Sequence, residues 1–438
     1  MKALPSARET AGRAGAREGC TGARTSIQAA RRLAAIALAA ALGAAGASQA
    51  QTAFDAASFP ACLEQLRPQA LAAGVSQAAY QRYTAGLQPE PSVLPLLDYQ
   101  PEFVIPIWDY LAGLVDEERI RDGQRMLERW RGLLERVEAE FAVDRHTVVA
   151  VWGVESDFGR RFGERPLVES LSTLACYGRR QSFFRGEFFT SLRILQDGHI
   201  APDKLRGSWA GAFGHTQFMP STFMRLAVDF DGDGRRDLID SVPDALASTA
   251  NFLKRAGWRD ALPWGIEVKL PPGFDTSDIG RRNRQPLSSW AARGVRRVDG
   301  SALARGALRE DTQVAIIRPA EGGGPAFMVT GNFNALFQYN AAESYALAIA
   351  HLADRMRGSG PWQTPWPTDD PGLSRAERRE LQQLLVARGH DIGGVDGLIG
   401  KRTLEALRNE LGRMGMQYPG DRAGRKALDA LRKASRAR

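Results

Sequence analysis

The chain has 438 residues, with 58 Lys+Arg, 50 Asp+Glu and 44% hydrophobic content, which excludes both a single small domain and a disordered chain. The net charge of +8 sits at the ends: residues 1–32 and 421–438 each hold +5, leaving −2 for residues 51–420. A nucleic-acid groove needs its basic face on the folded body, so this distribution argues against a nucleic-acid partner.

The first element in chain order is a leader. Arg31-Arg32, the apolar run Leu33–Ala47 and Ser48-Gln49-Ala50 read as the basic, apolar and cleavage regions of a secretory signal peptide over 1–50. A buried or membrane helix is the weaker reading, because the run is short and rich in Ala. The remainder is expected in the periplasm, without a transmembrane span. Cys20 leaves with the leader, while Cys62 and Cys176 remain. An oxidising compartment permits one disulfide between them, and two separate buried thiols are the equal alternative.

From 54 to about 258 the pattern is helical. Ile120, Met126-Leu127, Leu133-Leu134, Val137 and Phe141 recur at helical spacing across Arg119–Phe141. Val148–Val154 is almost unbroken apolar sequence, and further helices are expected at Phe183–Gly198 and Asp244–Gly257. At 262 the texture changes. Trp264–Leu270, Val314–Arg318 and Ala326–Thr330 are short β-type runs bounded by Gly and Pro, so 262–331 reads as a strand-rich insertion. Helix is expected again at Ala341–Arg355. Residues 357–372, rich in Pro and Gly, read as a linker, and 373–434 as a compact helical unit.

Four motifs carry chemistry. In Val148–Gly159, Glu155 closes the apolar run. Desolvation and the negative end of the helix dipole both favour its protonated form, which suits a general acid for glycosidic bond cleavage. A structural Glu paired with Arg160 or Arg161 is the equal alternative. In Ser208–Thr222, Gly211 and Gly214 permit close backbone approach, Ser208 and Gln217 offer hydrogen bonds to a polar ligand, and Pro220-Ser221 fits a helix start. Alone, a turn between helices explains this motif equally well.

Asp229–Asp240 matches an EF-hand loop. Asp229, Asp231, Asp233 and Asp237 fall at positions 1, 3, 5 and 9, Gly234 at 6, and Arg235 supplies a carbonyl at 7. Asp240 stands at position 12 in place of Glu. One loop without a partner suits a structural calcium ion, against the reading of a plain acidic turn. In Phe337–Ala346, Tyr339, Asn340 and Tyr345 suggest a sugar-binding wall, with rings against the apolar sugar face. An ordinary amphipathic helix start is the alternative.

In this order the motifs resemble the lytic murein transglycosylase B family. The resemblance runs from Gln100–Phe103 and Trp108–Tyr110, through Gly153–Glu155, Ser208–Pro220, the acidic loop and Gly257-Trp258, to Tyr339-Asn340. Leu381–Leu404 resembles the helical peptidoglycan-binding domain through Asp396-Gly397, Gly400 and Thr403, with Gln417–Asp421 in place of that family's second Asp-Gly turn. The resemblance implies a mainly α fold. It has a lysozyme-like helical catalytic domain over 54–356 with the small strand-rich insertion, and a C-terminal three-helix peptidoglycan-binding domain over 373–434.

The resemblance also implies a reaction. Glu155 acts as acid and then base at the bond between N-acetylmuramic acid and N-acetylglucosamine, with no cofactor for the chemistry. The muramyl acetamido group shares the positive charge, and the C6 hydroxyl closes onto C1 as a 1,6-anhydro ring. Ser208, Gln217, Tyr110, Tyr339, Asn340 and Tyr345 match positions lining that family's cleft, and Phe252 a place where an aromatic is usual. Peptidoglycan strands are the expected partner and a monomer the expected state. A hydrolytic muramidase would need a carboxylate to hold water. Asp157 and Glu169 are candidates, although Asp157 is expected on the surface after the helix end. A non-catalytic murein-binding scaffold and a calcium sensor are the remaining alternatives.

Overall fold

The computed structural model describes residues 54–98, 105–418 and 421–436; the leader over 1–50 with Cys20, and Gln100–Phe103, lie outside the described residues. The chain enters through α1 (Phe59–Ala72) and α2 (Gln77–Thr84). Next come α3 (Ile107–Leu114), α4 (Glu117–Arg129), α5 (Arg131–Phe141) and α6 (Arg145–Ser156). The helix expected across Arg119–Phe141 is therefore two helices, turning at Trp130, which caps both. Next are α7 (Leu167–Cys176), α8 (Gln181–Gln196), α9 (Pro220–Leu226) and α10 (Val242–Arg255). Two short strands, β1 (Arg165–Pro166) and β2 (Arg206–Gly207), pair antiparallel among them.

The insertion is a five-stranded antiparallel sheet in the order β4-β6-β7-β3-β5. Its strands are β3 (Gly265–Lys269), β4 (Gln285–Pro286), β5 (Arg296–Arg297), β6 (Gln313–Ile317) and β7 (Ala326–Val329), with α11 (Leu287–Ala292) between β4 and β5. In the centre, Ile316 and Ile266 both pair with Met328. One face packs Trp290, Val295 and Leu303 into a small core of its own. The other carries Ala315, Phe327 and Val329 into the main helical core.

Helix resumes earlier than expected. α12 (Gly331–Asn340) starts where Thr330 accepts the N–H of Asn332, and it ends at Ala341 (φ 48°), before α13 (Glu343–Met356). Tyr339 and Asn340 therefore end one helix, while Tyr345 lies in the first turn of the next.

The element that positions the site is α6. Asp144 caps its start by accepting from the N–H (2.9 Å) and hydroxyl (2.7 Å) of Thr147. Every residue from Thr147 to Gly153 is buried, so no face of this stretch meets solvent. α5, α10 and α13 surround it, with Leu134, Leu253, Leu347 and Leu352 fully covered in the same core. A buried side chain of this size contributes roughly 1.5–3 kcal/mol, which fixes α6 far more firmly than helix propensity does.

A Pro/Gly-rich segment leads out of α13. It forms neither helix nor strand, but it is strapped to the preceding helical body. Trp362 stacks on His351 with ring centroids 4.0 Å apart, and the Gln363 and Thr364 N–H groups each donate to Glu267 at 2.8 Å. The C-terminal unit follows as α14 (Arg375–Val386), α15 (Lys401–Arg413) and α16 (Arg425–Arg436), packed around Leu381, Leu385, Leu407 and Leu428. Ser374 and Glu377 form a reciprocal capping box at its first helix. Where the second Asp-Gly turn is missing, the Tyr418 hydroxyl donates to Asp370 (3.1 Å) and accepts from the Gly424 N–H (2.8 Å).

This unit meets the preceding helical body largely through charge. Arg422 grips Asp109 with two bonds of 2.7 Å, and Arg375 reaches Asp157 at 2.7 Å and Asp116 at 3.2 Å. Arg379 pairs with Glu118. Gly372 passes so close that a Cβ there would stand 2.7 Å from Asp109 Cα.

Cys62 of α1 and Cys176 at the end of α7 are joined by a disulfide, with Cα atoms 6.0 Å apart and a sequence separation of 114. Alkylation of the native chain should therefore add no mass at these positions, and two adducts should appear after reduction. Closing so long a loop restricts the unfolded chain, so reduction should lower unfolding free energy by about 2–4 kcal/mol, read as a fall in Tm.

Candidate active site

Glu155 stands in the last turn of α6, the part of that helix that lines a cleft. The helix stops because Asp157 (φ 52°) and Phe158 (φ 59°) both turn left-handed, sending the Phe158 N–H back to the Trp152 carbonyl at 3.3 Å. The Phe158 ring folds onto Gly153, where a Cβ would lie 2.7 Å from the ring. Gly153 is thus required by close approach, and the turn that ends the helix also fixes the direction in which Glu155 points.

The opening is a cleft of about 400 Å³. It brings together four of the expected residues, Tyr110, Glu155, Asn340 and Tyr345. The Tyr345 hydroxyl donates to Glu155 Oε1. Burial, with the Glu155 charge acting in the same direction, holds that hydroxyl well above its ordinary pKa, so it stays a donor. The Tyr345 ring is only 2% exposed and offers no face to a sugar. Its hydroxyl beside Glu155, rather than the face of its ring, is what this residue brings to the cleft. Tyr339, half-buried, donates its hydroxyl to the Thr216 carbonyl at 2.8 Å, with its ring 4.5 Å from Phe252 and 6.2 Å from Tyr345. Phe252 also packs 6.0 Å from Phe218, so it belongs to an aromatic block behind the cleft rather than to its lining.

Ser208 and Gln217 lie on the neighbouring loop and are not among the residues lining this cleft. Ser208 Oγ accepts the Ala212 N–H at 3.0 Å and closes the turn, while Gln217 (φ 52°) donates to the Gly214 and Phe162 carbonyls at 2.8 and 3.1 Å. Gly214 (φ 76°) tolerates no side chain, since a Cβ would stand 2.4 Å from the Leu238 carbonyl oxygen. His215, which the sequence did not single out, ties this loop to the helix end. Its Nδ1 accepts from Trp152 Nε1 at 3.0 Å, and its carbonyl accepts from Ser156 Oγ at 2.5 Å. Burial pushes its imidazole down to about 4, so the neutral ring required by the Trp152 bond is the stable form.

Asp157 is not a surface residue. It is 9% exposed and faces Arg375 Nη1 (2.7 Å), Arg160 Nη1 (3.4 Å) and Arg119 Nε (3.5 Å). A carboxylate held by three guanidiniums is poorly placed to polarise a water. Glu169 sits on α7, half-buried, outside the cleft lining.

The acidic loop folds as a turn but departs from the expected ligand set. Oxygens of Asp229, Asp231 and Asp244 lie within 4.8 Å of one another. Asp240, expected at the twelfth position, instead accepts from Lys204 Nζ at 3.0 and 3.2 Å. Asp237 turns inward to the N–H groups of Ile239 and Asp240, and Asp233 pairs with Arg235. Asp244 is fully buried, and burial together with the Asp231 charge raises its carboxyl above the ordinary value. Three hard oxygen donors this close together fit a hard divalent cation.

Residues 58–354 match the family model described as transglycosylase SLT domain. The chain is 31% identical over 250 residues to the membrane-bound lytic murein transglycosylase B of Escherichia coli (strain K12), covering 56% of this chain and 65% of that protein. It thus spans slightly less than two thirds of that relative. Its structure is similar to SltB3 from Pseudomonas aeruginosa in complex with NAG-anhNAM-pentapeptide (TM-score 0.68) and with NAG-NAM-pentapeptide (0.69), at 45% identity over 85% of this chain and 99% of that one. It is also similar to the Escherichia coli lytic transglycosylase Slt35 in complex with calcium, with a TM-score of 0.60 and 27% identity over 71% of this chain and 97% of that one. Among the described residues, no helix is long and apolar enough to cross a membrane.

His215 and His351 give the structure an acid sensitivity. Burial depresses them to about 4 and about 3 from 6.5, so the unfolded chain takes up their protons first. Stability present above pH 6.5 should be lost as pH falls from 6.5 towards 4. Thermal unfolding at pH 7.5 and 4.5 checks this, and His351→Gln should show the smaller drop.

Proposed function

The chain belongs to the transglycosylase SLT family, and from that premise we propose that it cleaves the β-1,4 bond between N-acetylmuramic acid and N-acetylglucosamine in peptidoglycan without consuming water. The observation that carries this reading is Glu155 at the mouth of a buried helix, hydrogen-bonded to Tyr345 and lining the cleft with Tyr110 and Asn340. Glu155 gives its proton to the bridging oxygen, and the leaving sugar departs with it. The muramyl acetamido oxygen shares the charge at C1. Glu155, now a carboxylate, takes the C6 hydroxyl proton as that oxygen bonds to C1, leaving a 1,6-anhydromuramyl end. Atoms balance without an external nucleophile, which agrees with Asp157 being occupied by arginines rather than free to position water.

Glu155→Gln should lower kcat by roughly 10²–10⁴-fold while the fold stays intact. Mass analysis of murein digests decides the reaction type. Products one water lighter than hydrolysis products support it. Heavier products mean a hydrolase, and murein binding without any soluble sugar means a scaffold.

Asp229, Asp231 and Asp244 would hold a calcium ion, which supplies a cross-link between the acidic loop and the start of α10 and takes no part in bond cleavage. Calcium at about 100 times its Kd should stabilise the fold by about 2.7 kcal/mol. Chelator should reverse the rise in Tm, Asp244→Asn should abolish it, and Asp240→Asn should leave it in place. The leader supports export, and the periplasm is the proposed compartment.

A further inference from the structure

Part of the wall around Glu155 belongs to the C-terminal unit. Arg375 and Arg378 from the first turn of α14 and the loop Asp396–Leu398 line the same cleft, with Arg161 from the catalytic body beside them. These cations are not equivalent. Arg375 is neutralised by Asp116 and Asp157. Arg378 is not. Its Nη2 donates only to the Gly113 carbonyl at 3.2 Å, its Nε is buried without a partner, and among the described residues no carboxylate comes within 4.0 Å of it. Arg161 likewise meets only the Asp396 carbonyl oxygen, at 3.3 Å. The Asp396 carboxylate is engaged elsewhere, accepting from Gln382 Nε2 (3.0 Å) and the Leu398 N–H (2.8 Å).

A guanidinium held in a partly dry wall without a counter-charge is costly unless an anion completes it. Burial lowers Arg378 to about 10, with Arg119, Arg375 and Arg161 adding to the effect and Asp116 opposing it, so it keeps its proton at neutral pH. Its planar fork suits a carboxylate in two-point contact. The muramyl ring carries such a group on its lactyl arm. With a peptide attached, the peptide ends in a carboxylate; without one, the lactyl acid itself is free.

Taking the proposed reaction as the premise, we propose that Arg378 and Arg161 form a carboxylate subsite of the cleft, which binds the acidic substituent of the muramyl residue and makes the C-terminal unit a specificity element of the catalytic site. The test measures KM and kcat on three soluble glycan strands: peptide-bearing, peptide-bearing with carboxylates converted to amides, and amidase-stripped strands that retain the lactyl carboxylate. With the wild-type chain, amidation should raise KM by about tenfold, the size of a charge-assisted pair, with kcat within a factor of two. With Arg378→Gln/Arg161→Gln, KM should be high on native strands and insensitive to amidation, and Arg378→Lys should recover part of the difference.

Stripped strands identify the source. Because the lactyl carboxyl is free only once the peptide is gone, a wild-type KM on stripped strands that matches native strands shows that the subsite accepts either acid, and a KM matching amidated strands shows that it takes the peptide carboxylate alone. An amidation effect of equal size in wild type and double variant overturns the proposal, as does its absence in both. A loss of kcat on all three strands marks a structural role and overturns it too. Failure of wild type to release anhydro ends from any strand would instead defeat the reaction assigned above.

Discussion

The structure depends on a helix whose middle is solvent-free and whose last turn opens onto a cleft. Thr147 to Gly153 of α6 are covered on every side, so the helix has no freedom to rotate or slide without exposing apolar surface. Glu155 follows one residue beyond that stretch. A carboxyl at the rim of such an element is held by the packing of the whole core rather than by a loop. The left-handed pair Asp157-Phe158 then ends the helix within two residues.

Polar contacts converge on the same turn from two directions. Behind it, Trp152 and Ser156 engage His215, which places the Ser208–Gln217 loop against α6. At its tip, Asp157 receives Arg119 from α4 and Arg375 from α14. A buried cluster of this kind contributes little net stability compared with an apolar equivalent, but it is directional and loses much if one member is removed. It therefore sets orientation: the cap of α6 and the placement of the C-terminal unit are fixed by the same carboxylate.

Much of this was legible in sequence, and the missing parts share a cause. The alternating runs at 264–270, 314–318 and 326–330 coincide with β3, β6 and β7, because a strand buried on one or both faces declares itself locally. Glu155 was visible as a carboxylate ending an apolar run. Asp244 was not, because a fixed-length loop pattern ends at Asp240, and Ser241-x-x-Asp244 reads as an ordinary helix cap, which it also is. Tyr345 was read as a ring presented to sugar, since one sequence cannot tell which face of α13 the neighbouring helices cover. The contact between Asp157 and Arg375 spans 218 residues and has no local signature at all. Local periodicity and capping report elements; long-range charge pairing reports how they meet.

The ionic seam between catalytic body and C-terminal unit bears on modularity. Arg422, Arg375 and Arg379 each answer an acidic group on α3, α4 or the end of α6, and the Trp362 strap is stitched down rather than slack. Such a chain is not a blade with a detachable handle. Severed at the strap, one fragment would keep Asp109, Asp116 and Glu118 without their arginines and the other would keep the arginines without their acids. A cut there would strand charge on both faces of the seam, so the strap and the seam hold the C-terminal unit as part of one folded body.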